Sequence, residues 1–183
     1  MTRGASPGDR LIGRELVIRE AEQADIDAVA KLHAACFERP WSAAELETTL
    51  SVPGTRALVA SAGSELVGFV VARSAGVEAE ILSIAVCRDR RRSGLARDML
   101  AGLDAHLDNH GVRDVFLEVD EANAAAIGLY HSCGFAGVGV RRGYYRSSDG
   151  ARRDALVLHR RVDGAGAERE GADRDVGTNA GVT

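Results

Sequence analysis

The stretch "ILSIAVCRDRRRSGLARDML", Ile81–Leu100, contains the two patterns that decide the fold. Its first six residues are mostly apolar and β-prone, which predicts a buried strand. Five charged residues and Gly94 follow, and apolar positions then recur at helical spacing as far as Leu107. A strand that passes into a helix in this way is typical of proteins that mix the two kinds of structure. The free N–H groups and the positive dipole end at the start of such a helix favour an anion, and the alternative is a solvated basic loop.

Strand and helix patterns also alternate on both sides of this stretch. Helical spacing from Ile26 to Phe37 predicts a first helix, which we expect to end before Pro40. Ser42 and Glu45 have the spacing of a capping box, which predicts the start of a second helix. The complete order is β-α-α-β-β-β-α-β-α-β-β. It predicts an α/β or α+β domain in which helices cover both faces of a mixed sheet.

The later elements are predicted from their caps and turns. Gly111 and Gly134 are placed to end the third and fourth helices, and Asn123 is placed to cap the fourth. Hairpin turns are expected at Gly63 and at Asp149-Gly150.

Composition restricts both the domain organisation and the class of protein. The 183 residues, of which 45% are hydrophobic, suit a single domain, which we expect over residues 15–162. Residues 1–14 and 163–183 are rich in glycine and lack aromatic residues, so we expect a flexible N-terminal segment and a disordered C-terminal tail. The formal net charge of −4 argues against a general nucleic-acid binder. No apolar run reaches about 18 residues and no secretory start is present, so we expect a cytoplasmic protein without membrane contact.

Cysteine and histidine give no indication of a metal or of a disulfide framework. Cys36, Cys87 and Cys133 are widely spaced and odd in number, so we expect three reduced thiols. His106 and His110 lie four residues apart without a third ligand, so we expect no metal.

Two phosphate-binding motifs can be excluded. The chain contains no GxxxxGK[ST] motif, and "GVGVRRG", which begins at Gly137, has the wrong spacing for a dinucleotide fingerprint and no helix after it. An anion beside Gly94 would therefore be bound in a different way.

Two segments together resemble the GNAT acetyltransferases. "RRSGLA", Arg91–Ala96, is similar to the family's Q/R-x-x-G-x-G/A signature, and it follows a strand as in that family. "NAAAIGLYHSCGF", Asn123–Phe135, is similar to the second signature, N-x-x-A-x-x-L-Y-x-x-x-G-F. The resemblance covers about residues 15–162. It implies the GNAT fold, with a mixed, mostly antiparallel central sheet of about seven strands, and acetyl-CoA as cosubstrate.

Longer matches point to one branch of this family. "RPWS", "FLEVDEANAAAIGLYHSCGF" and "RRGYYRSSDGARRDAL" resemble the branch that acetylates the N-terminal alanine of small-subunit ribosomal protein eighteen. That resemblance implies an N-α-acetyltransferase that acts on a protein N-terminus. We expect direct transfer in a ternary complex, no direct DNA binding, and a monomer or weak dimer. The alternatives left open are an acetyltransferase for a small-molecule amine or a protein lysine, and a non-enzymatic acyl-CoA sensor. An additional RNA contact through the arginine-rich loop is also left open.

The resemblance also implies roles for particular residues. Backbone groups of Ile84, Ala85 and Val86 would meet the pantetheine arm, and Asn123 would contact the cofactor. The residues expected to hold the pyrophosphate are Arg92, Ser93, Gly94, Leu95, Ala96 and Arg97. Ala96 stands where the family often has glycine, and Arg91 stands where glutamine is commoner.

The chemistry of amine acetylation indicates where to look for a base. Alternation in "DVFLEVD" puts Glu118 on the opposite face from Leu117 and Val119, and a carboxylate on a core strand is a good general base. An α-ammonium has a pKa of about 8, against about 10.4 for lysine, so a protein N-terminus needs less base strength. The resemblance agrees on Glu118, acting through water, and implies Tyr130 as the general acid. Tyr144 and Tyr145 either shape a peptide groove, as in the family, or pack across strands.

Overall fold

The structure is a computed structural model that describes residues 10–12, 16–146 and 152–162. It contains eight strands and four α-helices, in the order that the sequence predicts except for one additional strand at the start. The strands are β1 (Arg10–Ile12), β2 (Leu16–Glu20), β3 (Thr55–Ala62), β4 (Glu65–Ala75), β5 (Glu78–Val86), β6 (Asp114–Asp120), β7 (Ala136–Arg146) and β8 (Arg152–Arg161). The helices are α1 (Ile26–Cys36), α2 (Ala43–Ser51), α3 (Leu95–Asn109) and α4 (Ala124–Ser132).

The strands form one sheet in the order β1-β2-β3-β4-β5-β6-β8-β7. Among the described strands, β5 and β6 are parallel neighbours, and the other neighbouring pairs are antiparallel. The prediction of a mixed, mostly antiparallel sheet is therefore confirmed. Strand β1 lies inside the segment 1–14 that we expected to be flexible. Its backbone pairs with β2 from Arg10↔Ile18 to Ile12↔Leu16, so the sheet begins before residue 15.

Helices cover both faces of the sheet, as predicted. On one face α3 and α4 pack over a core that includes Met99, Leu103 and Tyr130. On the other face α1 and α2 cover a second core that includes Leu46 and Phe69. Alternation along β4 supplies both cores, because Val70 faces the first and Val71 the second.

The helix ends follow the predicted caps. The Ser42 side chain accepts a hydrogen bond from the Glu45 N–H at 3.2 Å, and the Glu45 carboxylate accepts one from the Ser42 N–H at 2.7 Å. The capping box of α2 is therefore confirmed. Gly111 and Gly134 have positive φ angles and lie two residues beyond the last residues of α3 and α4. The expected turn at Asp149-Gly150 and the tail 163–183 lie outside the described residues.

Candidate active site

The parallel strands β5 and β6 separate at one position. Their ladder runs through four pairs and ends at Ile81↔Leu117. On the opposite edge of β5 the register against β4 shifts at the same point, because Val71 pairs with Ser83 and the next residue pairs with Ile81. Leu82 is therefore the extra residue of a β-bulge, and a bulge bends its strand. The result is an opening between the remainder of β5 and the end of β6.

The edge of β5 that borders this opening carries backbone groups that β4 does not use. The N–H of Cys87 donates to the carbonyl of Val67 on β4 at 2.8 Å. Backbone groups of alternate residues point to opposite edges of a strand, so Ala85 also faces β4, whereas Ile84 and Val86 face the opening. We expected backbone groups of Ile84, Ala85 and Val86 to meet the pantetheine arm. In the structure, the backbone groups of Ile84 and Val86 face the opening, and those of Ala85 face β4.

The arginine-rich loop is fastened to that edge. Arg91 donates from Nε to the carbonyl of Val86 at 3.2 Å and from Nη2 to Cys36 Sγ at 3.6 Å. The hydroxyl of Ser93 donates to the carbonyl of Arg90 at 2.7 Å. These bonds shape the turn that leads into α3. Arg92 adopts φ 60° in this turn, in the left-handed region, and its side chain is exposed.

The first turn of α3 can accept an anion. The first intrahelical bond of this turn runs from the Asp98 N–H to the carbonyl of Gly94 at 3.0 Å, so the N–H groups of Leu95, Ala96 and Arg97 have no intrahelical acceptor. Gly94 has φ 89°, and a Cβ placed there would approach only Asp98 Oδ2, at 3.9 Å. The space beside the turn is therefore open.

This first turn has the features expected of an anion-binding site, which is the role that we predicted for it. Free helix N–H groups, open space at Gly94 and the exposed side chain of Arg92 supply donors, access and positive charge in one place. The side chain of Arg97 reaches instead to α4, where it donates to the Ser132 hydroxyl at 3.2 Å. Arg97 thus joins the start of α3 to the end of α4.

Asn123 stands at the same edge of the sheet, because parallel strands bring their carboxyl ends together. Strand β6 ends at Asp120, and Asn123 then caps α4, where Oδ1 accepts from the Ala126 N–H at 3.1 Å. The predicted cap is confirmed. Both α3 and α4 therefore begin beside the opening.

Glu118 is the first residue of β6 beyond the last pair with β5. Its side chain is 12% exposed, and Oε1 lies 2.8 Å from Nη1 of Arg141 on β7. Tyr144 also borders this carboxylate, because the negative charge of Glu118 contributes, after desolvation, to raising the pKa of Tyr144. The candidate base is thus paired with Arg141 of β7 at the opening.

Tyr130 lies on the other face of the sheet, within the core under α3 and α4. It is 7% exposed, and its ring meets that of Phe135 edge to face at 5.7 Å. Burial raises the pKa of Tyr130 to about 12, with a smaller electrostatic contribution from Tyr145. Tyr130 therefore holds its proton at neutral pH and can act as a hydrogen-bond donor.

Tyr145 connects the surroundings of Glu118 and Tyr130. Partial burial raises the pKa of Tyr145 to about 12, with further contributions from Tyr144, Glu118 and Asp120. The pKa of Tyr144 is also raised, first by partial desolvation and then by the charge of Glu118. The two rings meet edge to face at 5.2 Å. Both tyrosines thus border the candidate base.

Sequence reasoning missed two residues near this opening. Arg141 belongs to the quoted segment "RRGYY", in which only the tyrosines were singled out, because neighbouring arginines give no sign of which one meets a carboxylate. His33 appeared only as a position in the first helical pattern. Its ring is 3% exposed and is stacked between Phe37 and Trp41, with centroids 4.2 and 5.0 Å away.

His33 links the segment between α1 and α2 to β5. Nδ1 accepts a hydrogen bond from the Trp41 N–H at 3.2 Å, and Nε2 lies 3.3 Å from the Ser83 hydroxyl. An acceptor Nδ1 requires the proton to be on Nε2 in the neutral ring. Burial lowers the pKa of His33, which agrees with a neutral ring. A polar residue at a helix position facing apolar neighbours is the sequence signal for such a centre.

Other features of the described residues add no further chemistry. Cys36, Cys87 and Cys133 are free thiols. Within residues 10–12, 16–146 and 152–162, no group of three or more potential metal ligands comes together. No helix in this part of the chain combines the length and apolar character needed to cross a bilayer.

The chain is similar in sequence and fold to known acetyltransferases. Residues 26–135 match the acetyltransferase (GNAT) family. The ribosomal protein bS18-alanine N-acetyltransferase of Escherichia coli (strain K12) is 35% identical over 143 residues, which cover 77% of this chain and 94% of the relative. The N-alpha-acetyltransferase RimI of Mycobacterium tuberculosis is 36% identical over 144 residues, covering 75% and 87%. The crystal structure of the ribosomal-protein-S18-alanine N-acetyltransferase from E. coli superposes with a TM-score of 0.76 at 31% identity, covering 84% of this chain and 97% of that one.

Proposed function

The chain belongs to the GNAT acetyltransferase family, and on that basis we propose that it transfers acetyl from acetyl-CoA to the N-terminal alanine of a ribosomal protein, bS18. One observation supports this proposal above the others. Glu118, a mostly buried carboxylate, is the first residue past the point at which β5 and β6 separate. The two relatives named for this activity, or for N-α-acetylation in general, match the chain over at least 87% of their own length.

Acetyl-CoA supplies the acetyl group as a thioester, and the residues of this chain supply the remaining chemistry. In the proposed reaction, Glu118 takes a proton from the substrate's α-ammonium through a water molecule, so that the free amine can attack. Because an α-ammonium has a pKa of about 8, a carboxylate can remove its proton near neutral pH more easily than it could from lysine.

The N–H groups of Ile84 and Val86 donate to the carbonyl oxygen as negative charge develops there. Donors fixed in a strand need no reorganisation during the reaction, which makes them effective. The N–H groups of Leu95, Ala96 and Arg97 hold the pyrophosphate, with Arg92 and Ser93 beside it. Asn123 completes the cofactor contacts from the start of α4.

Tyr130 acts on the departing sulfur. Its pKa of about 12 lies above that of a typical thiol, about 8.5, so complete proton transfer to the thiolate is uphill. Tyr130 therefore stabilises the leaving thiolate mainly as a hydrogen-bond donor. Transfer is direct, within a ternary complex, and no acetyl-cysteine intermediate is required.

A panel of acceptors tests the substrate. Acetyl-CoA is offered with peptides that differ in the first residue, with N-terminally blocked peptides that contain an internal lysine, and with polyamines. Mass spectrometry of the products should place the acetyl group on the α-amine, with the alanine peptide preferred. Faster acetylation of internal lysine or of a polyamine would favour the alternative, an acetyltransferase for lysine or small amines. Absence of coenzyme A release with every acceptor would favour a non-enzymatic acyl-CoA sensor.

Replacement of the base tests the chemistry. Glu118→Gln keeps the shape of the side chain and removes its basicity, so we expect kcat to fall by about 10²- to 10⁴-fold. The Kd for acetyl-CoA, measured by calorimetry, should remain close to that of the wild type. Glu78→Gln, at the exposed start of β5, is the matched control and should keep the wild-type rate. A Glu118→Gln protein that turns over normally would exclude this residue as the base.

A further inference from the structure

We propose that Arg141 is a positioning residue that occupies the substrate's place on Glu118: its guanidinium pairs with the carboxylate in the free protein, and the incoming α-ammonium displaces it. This inference rests on the proposed function, in which Glu118 is the base. It adds a residue to which neither the sequence motifs nor the family signatures assign a role. Because only a cation can replace the guanidinium on Glu118, Arg141 would favour acceptors that carry a positive charge.

The two partners of the ion pair differ in exposure. Glu118 is 12% exposed, whereas Arg141 is 60% exposed, and the pair is joined at 2.8 Å. A mostly buried carboxylate benefits from a cation, because burial removes part of its hydration. A mostly exposed arginine is weakly held, because water can replace its contacts. The pair therefore has a fixed member and a member that can leave.

The guanidinium of Arg141 has a second contact that marks its position. Its central carbon lies 5.7 Å from the centre of the Tyr144 ring, within the range of a cation–π interaction. The same guanidinium therefore contacts both the Tyr144 ring and the Glu118 carboxylate. An aromatic face and a carboxylate together form a site for a cation. An α-ammonium has the charge and hydrogen-bond donors that such a site accepts.

An irregularity in β7 builds this site. Arg141 pairs with Ala155 and Tyr145 pairs with Arg153, so three residues of β7 stand opposite the single residue Asp154. Within this bulge Gly143 has φ 61°, and its N–H donates to Asp154 Oδ1 at 2.7 Å. Residues three apart in a regular strand point to opposite faces. The bulge allows the Arg141 guanidinium to lie near the Tyr144 ring while it pairs with Glu118, and bulges beside active sites often redirect side chains in this way.

The other charged groups around Glu118 are themselves engaged. Asp120, on the same strand, pairs with Arg153 at 2.8 Å, and Glu80 of β5 lies 3.8 Å from Arg73. Tyr144 and Tyr145 are the titratable groups that face Glu118 from β7. Of these neighbours Arg141 brings its positive charge directly to the Glu118 carboxylate.

Chemistry requires the ion pair to open. A carboxylate that stays paired with a guanidinium is a poor proton acceptor, because the positive charge favours the ionised form. A base that works at neutral pH must therefore lose that partner when the substrate arrives. Exchange of one cation for another keeps the charge of Glu118 compensated throughout, and the α-ammonium then lies one water molecule away from the base, as the proposed reaction requires.

Kinetics of Arg141→Gln test the proposal. At pH 8 the KM for an alanine peptide should fall severalfold because no internal cation competes with the α-ammonium, while kcat should stay within about twofold of the wild-type value. The Kd for acetyl-CoA should stay the same. Arg142→Gln, which changes the adjacent exposed arginine, is the matched control and should alter none of these values.

The results separate this inference from the proposed function. A peptide KM that is unchanged or higher in Arg141→Gln would overturn the role of Arg141. A Glu118→Gln protein with the wild-type rate would instead overturn the assignment of the base.

A measurement on the wild-type protein does not depend on the stability of a variant. The Nε signal of Arg141 is followed by ¹⁵N NMR with coenzyme A bound while an alanine peptide is added. The signal should shift towards that of a solvated arginine. The same peptide with an acetylated N-terminus has no ammonium group and should leave the signal in place. An unchanged signal with the free peptide, or an equal change with the acetylated one, contradicts the proposal.

Discussion

His33 is a single residue on which the segment beside the opening depends. Its ring accepts a hydrogen bond from the Trp41 N–H and also contacts the Ser83 hydroxyl on β5. Ser83 directly precedes Ile84, whose backbone borders the opening. The contact with Trp41 requires a neutral ring, because a protonated Nδ1 cannot accept the Trp41 N–H, whereas Nε2–H can donate to Ser83 in either charge state. The state of one histidine therefore affects the attachment of the segment between α1 and α2.

This centre makes stability depend on pH in a predictable direction. The pKa of His33 is lowered by burial, and burial also lowers the pKa of His106. A histidine with a lowered pKa in the folded state adds stability that is complete above its unfolded pKa of about 6.5 and is lost as the pH falls. We expect the free energy of unfolding to drop between about pH 7 and pH 5, by up to about 1.4 kcal/mol per pH unit for each such histidine.

In the variant His33→Asn, the free energy of unfolding should depend less steeply on pH over that interval. Urea unfolding at a series of pH values measures this free energy. Above about pH 7.5, the curves of free energy against pH for the variant and the wild type should be parallel. Equal slopes below pH 6.5 would show that His33 does not carry the effect.

Glu118 and Arg141 illustrate how far single residues could be predicted. Glu118 was found because strand alternation and a family signature agreed on one carboxylate. Arg141 was not found, because its contact depends on a bulge and on the pairing of β7 with β8. Local spacing along the chain carries no information on either.

The first turn of α3 is the element that we expect to bind the cofactor. Gly94→Ala tests it, because φ 89° is unfavourable for alanine and the added methyl group would occupy the open space beside the turn. We expect the Kd for acetyl-CoA, measured by calorimetry, to rise about tenfold, which corresponds to about 1.4 kcal/mol.

Gly111→Ala is the matched control for this prediction. Gly111 follows the other end of α3, has φ 75°, and a Cβ there would meet nothing within 4 Å. Both substitutions should cost about 1–2 kcal/mol of stability through backbone strain. Only Gly94→Ala should weaken the binding of acetyl-CoA. Similar Kd values for the two variants would show that this turn does not contact the cofactor.

The elements themselves were predicted well where their signals are local. The capping box at Ser42 and Glu45 and the cap at Asn123 involve residues three apart, so they can be read directly from the chain. The bulges at Leu82 and Gly143 could not be read in this way, because a bulge is defined by the partner strand. Strand β1 is only three residues long and is stabilised by its pairing with β2.

At the scale of the whole molecule, the opening results from topology. A single parallel pair in a largely antiparallel sheet brings the starts of α3 and α4 to one edge, and the bulge in β5 separates the strands there. The order of elements was predicted from the sequence, and so was the covering of both faces. The separation of β5 from β6 was not, since it depends on contacts between strands distant in the chain.

A crystal structure with coenzyme A tests the central claim, that this opening is the place of acetyl transfer. We expect the pyrophosphate on the N–H groups of Leu95, Ala96 and Arg97, and the pantetheine arm along Ile84 and Val86. The sulfur should lie in the opening, between Tyr130 and Glu118. Coenzyme A bound elsewhere, or an opening filled by the protein's own side chains, would contradict the account.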